Sequence, residues 1–189
     1  MRYSHEHKPW AVCKVPLQLR DSGRLDEVVR FAVSWKADAI IGQFRSTDDV
    51  DSFRRSGIIP IAQDYQQRLP DVISISGDYA LSGRICADYF IDKGVKSFAY
   101  FGLKGFVWSD ERRDAFFAEI HARMPEASTS LLEKLDADGA WWYDLDRLTQ
   151  WLRSLPKPVG VMACDDQRAY YIMEASKLGG EGMRIPNDI

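Results

Sequence analysis

Between Asp71 and Phe117 the chain switches from a strand pattern to a helix pattern and back, and few folds accommodate that order. A β-branched run, Val72, Ile73 and Ile75, ends at Gly77-Asp78. Apolar residues then recur at three- and four-residue spacing through Leu81, Ile85, Ala87, Phe90 and Ile91, which predicts a helix with one buried face. Asp78 is placed to cap its start by accepting hydrogen bonds from free backbone N–H groups. Gly94 is placed to stop it. Ser97 to Gly102 reads as a short strand with too little alternation for a half-exposed edge. Strand, helix and strand form one unit in this reading, which implies a parallel sheet covered on both faces.

The rest of the chain extends the pattern. Arg2 to Lys8 reads as the end of a helix stopped by Pro9, since proline disfavours helix in the residue before it. Ala11–Val15 reads as a short strand and residues 16–23 as a polar loop with turn chemistry at Asp21-Ser22-Gly23. Leu25, Val28, Val29, Ala32 and Val33 give a helix face; Asp38 to Gly42 gives a short buried strand. A charged helix over 48–55 turns Val50 and Phe53 inward, and a strand over 58–62 is followed at once by Asp64. Gln66 to Pro70 is a polar linker leading towards a second lobe.

Beyond the opening stretch, Ser109 to Arg123 predicts a helix capped by Ser109 or Asp110, with Phe116, Phe117 and Ile120 inward. A strand over 129–132, a helix over 144–155 and a buried strand over 159–164 follow, and Asp165-Asp166 opens a helix ending at Gly179-Gly180. Asp166 is expected to cap, leaving Asp165 to point into a cleft. The expected organisation is α/β in two lobes, residues 1–76 and 77–189. The opening helix without a strand before it, and the ending at Arg184-Ile185-Pro186-Asn187-Asp188-Ile189, suggest that both lobes are incomplete.

Composition narrows the function classes. The 189 residues are 46% hydrophobic and 28% charged with a formal charge of −3, so nothing draws the chain in bulk to nucleic acid or an anionic membrane. No apolar run approaches the roughly 20 residues a membrane-spanning helix needs. The first residues are polar and charged, unlike a secretory signal. Cys13, Cys86 and Cys164 are far apart among apolar neighbours, which favours buried thiols over disulfides or a zinc site, in a cytoplasmic protein.

Several modest motifs in order resemble the lactose-repressor family. They are the strand ending in Gly77-Asp78, the helix carrying Gly83-Arg84 and ending at Asp92-Lys93-Gly94, the strand ending in Gly102, and Glu111-Arg112-Arg113-Asp114-Ala115-Phe116. Trp108 to Arg112, Arg2-Tyr3-Ser4 and Pro9-Trp10 are similar to the sugar-sensing half of xylose-operon regulators. The resemblance implies a periplasmic-binding-protein-like fold, each lobe a doubly wound parallel sheet. It implies a sensor that closes its lobes on a sugar and signals to a DNA-binding domain outside this chain. It further implies a homodimer, through the helices of residues 24–35 and 47–56.

In an open parallel sheet, ligands bind beyond the carboxyl ends of the strands. The polar residues there are Asp64, those of the loop 103–112, and Asp165. A sugar calls for such groups: carboxylates, a guanidinium fork and an aromatic face. By resemblance, Asp64 stands where the family has a ligand-contacting aspartate, Arg112 matches a sugar-binding arginine, and Asp165 replaces a usual asparagine. Each also has a plainer reading: Asp64 as a turn residue, Arg112 as a surface helix residue, Asp165 as a helix cap. Trp108 either stacks on a sugar ring or anchors its loop. Trp141-Trp142-Tyr143 suits packing better than a second platform.

Enzyme readings find little support. His5-Glu6-His7 does not put two imidazoles on one helix face, so no metal is expected. His121 reads as solvated. There is no Gly-x-Ser-x-Gly elbow, P-loop or dinucleotide fingerprint, and no histidine stands near Cys164 in sequence. The expectation is therefore a non-enzymatic, cofactor-free sensor binding a pentose, xylose by resemblance. A phosphosugar-handling enzyme and a transport-type sugar-binding protein of the same fold are the alternatives.

Overall fold

The computed structural model describes residues 10–135, 145–181 and 183–189. The chain folds as two compact units: one runs to Gln63 and takes in Leu69–Ser74, the other comprises Asp64–Arg68 and everything from Ile75 on.

The first unit holds helices α1 (Leu17–Asp21), α2 (Leu25–Ser34) and α3 (Asp51–Arg55) and strands β1 (Ala39–Gly42), β2 (Ile59–Gln63) and β3 (Ile73–Ile75), in the sheet order β1-β2-β3. β1 and β2 run parallel with Ala39 opposite Ile59 and Ile41 opposite Ile61. Ile40 and Ala62 point to one face, where Ala32, Phe44, Val50, Phe53 and Ile58 close a core. On the other face Ile41 and Ile59 stand exposed, as do Ile73 and Ile75 on β3. β1 is therefore half-exposed, not buried as its unbroken apolar run suggested.

Residues 11–15 form no strand, and the segment expected as a loop carries α1 instead. A strand needs a hydrogen-bonded neighbour, and neither sheet offers 11–15 one. Val33 lies at the exposed edge of α2, while Leu25, Val28 and Val29 pack on the core as expected. Cys13 is exposed and Cys86 half-buried, contrary to the reading of three buried thiols; Cys164 alone of the three is buried. The helix read over 2–8 and the Trp141-Trp142-Tyr143 cluster lie outside the described residues.

The second unit has strands β4 (Ser97–Lys104), β5 (Ser128–Leu135) and β6 (Val159–Ala163) in the parallel order β5-β4-β6. Helices α4 (Tyr79–Asp92), α5 (Val107–Arg123), α6 (Leu145–Ser154) and α7 (Asp166–Gly179) cover it. β4 is central, and its alternation sorts the layers. Phe98 and Tyr100 pack with Ala87 of α4 and Phe116 and Ile120 of α5. Ala99 and Phe101 pack with Leu148 and Leu152 of α6 and Ile172 and Ala175 of α7. Both faces are covered, as expected of a doubly wound sheet. The expected strand–helix–strand unit, however, is divided: β3 joins the first sheet and β4 the second. Periodicity identifies an element but not the sheet edge it joins.

Glycine sets how closely α4 meets α5. A Cβ on Gly83 would come 2.4 Å from the Arg112 carbonyl oxygen and 2.9 Å from the Phe116 nitrogen, so only glycine allows this crossing. The buried face of α4 consequently runs through Gly83 and Ala87, while Leu81 and Ile85, expected inside, are exposed. Asp78 does cap α4, accepting from the Leu81 N–H at 2.8 Å.

Candidate functional site

The turn from β4 into α5 is built by side chains reaching backwards. The Tyr100 hydroxyl donates to the Ser109 carbonyl at 2.7 Å, and the Leu103 N–H donates to Ser109 Oγ at 3.1 Å. The Gly105 N–H donates to Asp110 Oδ2 at 3.1 Å. Ser109 and Asp110 therefore tie down the preceding loop instead of capping α5, which starts at Val107 after an uncapped Phe106. The Val107 N–H, one of the free donors of that first turn, donates to the Tyr65 carbonyl at 3.0 Å.

Starting α5 two residues early puts Trp108, Glu111 and Arg112 on one face at i, i+3 and i+4. Arg112 Nη1 donates to the Cys164 carbonyl at 2.9 Å. The guanidinium carbon lies 4.8 Å from the Tyr79 ring centroid and 5.8 Å from that of Trp108. Arg112 is thus half-buried against two aromatic rings, and no carboxylate among the described residues pairs with it. Trp108 also packs on Phe106, with ring centroids 5.6 Å apart, which anchors the loop.

Asp64 is buried, its side chain 1% exposed. Among the described residues its one hydrogen bond comes from Arg68 Nη2 at 3.5 Å, a long contact. Arg68 makes a shorter two-pronged pair with Glu111, at 2.5 and 3.0 Å. The Glu111 bond, with lesser help from Asp64, raises the Arg68 pKa above its ordinary value.

Asp165 departs from expectation. It is the N-cap of α7: Oδ1 accepts from the Arg168 N–H at 2.9 Å and Oδ2 from Arg168 Nη1 at 2.7 Å. Both oxygens are committed, and Asp166 occupies the exposed first turn. Asp165 has the extended backbone that an N-cap requires, which decides between the two adjacent aspartates.

Within the second unit Asp64 meets Arg68 and Arg68 meets Glu111; Arg112, next in sequence, lies against Trp108 and donates to the carbonyl of Cys164, the residue before Asp165. Sequence reasoning missed Tyr79, Arg68 and Arg168. Arg68 stands four residues after Asp64, and Tyr79 directly follows a cap, but neither position signals a contact with α5.

Burial pushes the Cys164 thiol up to about 11, with the Asp165 charge adding to the shift, so it is no nucleophile near neutral pH. His121 is exposed and stacked on Phe117. No cluster among the described residues could hold a metal ion. Asp64, Glu111 and Asp165 balance Arg68, Arg112 and Arg168 in charge. The depressions on the first unit, around Ile58 to Pro60 and around Asp48 to Asp51, have no such convergence of aromatic and paired polar groups.

Residues 87–189 match the family model of the periplasmic binding protein-like domain, which is more than half of the chain. The chain belongs to that family. This periplasmic-binding-protein-like chain is 28% identical over 146 residues to the xylose operon regulatory protein of Haemophilus influenzae, covering 73% of this chain and 37% of that protein. It is 29% identical over 164 residues to the xylose operon regulatory protein of Escherichia coli K12, covering 80% of this chain and 39% of that protein. It spans about two fifths of the length of these relatives.

Among solved structures, it resembles a periplasmic binding protein/LacI transcriptional regulator from Alkaliphilus metalliredigens complexed with D-xylulofuranose. The TM-score is 0.61 at 18% identity, covering 86% of this chain and 58% of that one. That likeness is one of fold. The family resemblance read from the motifs around Gly83, Gly102 and Arg112 is borne out, as is the α/β class with parallel sheets.

Proposed function

We propose that this chain is the sugar-binding effector domain of a transcription regulator, with a neutral pentose, D-xylose, as its effector. The observation that carries the reading is that the buried carboxylate Asp64, held only by a long contact from Arg68 among the described residues, and Arg112, a guanidinium lacking a carboxylate partner among them, belong to the same compact unit. Asp64 offers acceptors to sugar hydroxyls, Arg112 offers donors, and the Trp108 ring offers an apolar face for C–H groups. Asp165 acts indirectly, by holding the first turn of α7 beside the Cys164 carbonyl that Arg112 binds. The pentose preference is supported by the xylose operon relatives.

In this reading the two compact units are the two lobes of the sensor, and DNA is contacted by a domain outside these residues. The sugar shifts the regulator between states only by the difference in its affinity for them. Helix α2 is the proposed dimer surface, since Val33 and the adjoining Trp35 are 49% and 53% exposed there. Sedimentation should show a dimer that Val33→Glu with Trp35→Glu converts to monomer.

A thermal melt against xylose, ribose, arabinose, xylulose, glucose and xylose 5-phosphate tests the proposal. A sugar at a hundred times its dissociation constant adds about 2.7 kcal/mol, a shift of roughly 5–10 °C for a chain of this size. Xylose is expected to give it. A shift by xylose 5-phosphate alone would replace the sensor reading with a phosphosugar-handling one.

A further inference from the structure

We infer that Tyr79 is a positioning residue of the sugar site, acting through Arg112; this rests on the function proposed above. Three features place it. Asp78 caps α4, so Tyr79 is the first helical residue and its position is fixed by the cap. Gly77 makes room for the ring to fold back: a Cβ there would lie 2.7 Å from Tyr79 Cε1. Gly83, one turn further along, lets α4 approach the backbone of Arg112 itself.

The outcome is a ring 4.8 Å from the guanidinium, nearer than the Trp108 ring at 5.8 Å. Arg112 has a single hydrogen bond among the described residues, to the Cys164 carbonyl. One bond leaves a long side chain free to rotate about it, whereas a π-face on the guanidinium restrains its plane. The plane decides which Arg112 N–H groups remain aimed outwards for ligand hydroxyls. The Tyr79 hydroxyl makes no hydrogen bond among the described residues, so the ring does this and phenylalanine should suffice.

The test reads Arg112 directly as well as through binding. In the full 189-residue chain, Arg112 side-chain NMR signals, identified by their loss in Arg112→Ala, should carry the upfield shift of a group over an aromatic face. Tyr79→Ala and, by displacing the ring, Gly77→Ala should remove part of that shift and weaken xylose binding about fivefold or more. Tyr79→Phe should restore both the signal and the affinity, which a purely structural role for the first helical turn would not require. An unmoved Arg112 signal in Tyr79→Ala, a moved signal with unchanged xylose affinity, or failure of phenylalanine to restore the site would each overturn the inference alone. A wild-type chain that binds none of the neutral sugars would instead overturn the sensor reading, and this inference with it.

Discussion

Cys86 and Cys164 sit in the same apolar layer, and burial raises both thiols from an ordinary 9.0 to about 11. The protonated form is favoured on folding, so their contribution is intact below pH 9 and is lost as pH rises through 11. The midpoint of urea unfolding should therefore fall between pH 9 and 11, and less so in Cys86→Ala. Cys13 is exposed, so a thiol reagent at pH 8 should modify it within minutes, half-buried Cys86 more slowly, and buried Cys164 only after denaturation. The residue scale is also where sequence legibility ran out. Asp64, Arg112 and Trp108 could be singled out as candidates because strand ends and a motif locate them. Asp165, not Asp166, caps α7, because a cap is chosen by backbone angles that two adjacent aspartates do not reveal. Arg68 and Glu111 meet across 43 positions of sequence, a distance no local pattern encodes.

At the scale of elements, the close contact of α4 with α5 depends on one missing side chain. Gly83→Ala places a methyl group against backbone atoms of Arg112 and Phe116, which cannot rotate away. Overpacking of this kind costs about 3 kcal/mol at the upper end, and the melting temperature should drop by roughly 5–10 °C. Because the same contact seats Arg112, sugar affinity should fall in parallel, which calorimetry on the refolded variant would show. Helices and buried strands of the second unit were legible, since β4 and its covering helices carry strong periodic patterns. Element starts were less so. The α5 start moved to Val107 because Ser109 and Asp110 bond to the loop before them, a non-local choice between two partners.

For the whole molecule, the second unit packs a sheet between two helical layers, whereas the first covers one sheet face and leaves Ile41, Ile59, Ile73 and Ile75 exposed on its sheet. Stability should follow that difference. Hydrogen exchange should protect β4 and β6 to a higher opening free energy than β1 and β2, by roughly 2 kcal/mol or more. The parallel α/β class was legible as a whole, but the assignment of β3 and β4 to separate sheets was not, because nothing in a strand's own sequence names its neighbour. In the proposed sensor, Asp64 and Arg112 together hold a neutral pentose. Calorimetric titration of D-xylose into the wild-type chain, Asp64→Asn, Arg112→Ala and the double variant tests it most directly. Each single change should weaken binding about 10- to 100-fold, as loss of a hydrogen bond to a charged group does, in variants whose cooperative melt shows that they are folded. Xylose binding that survives in the double variant with wild-type affinity would contradict it.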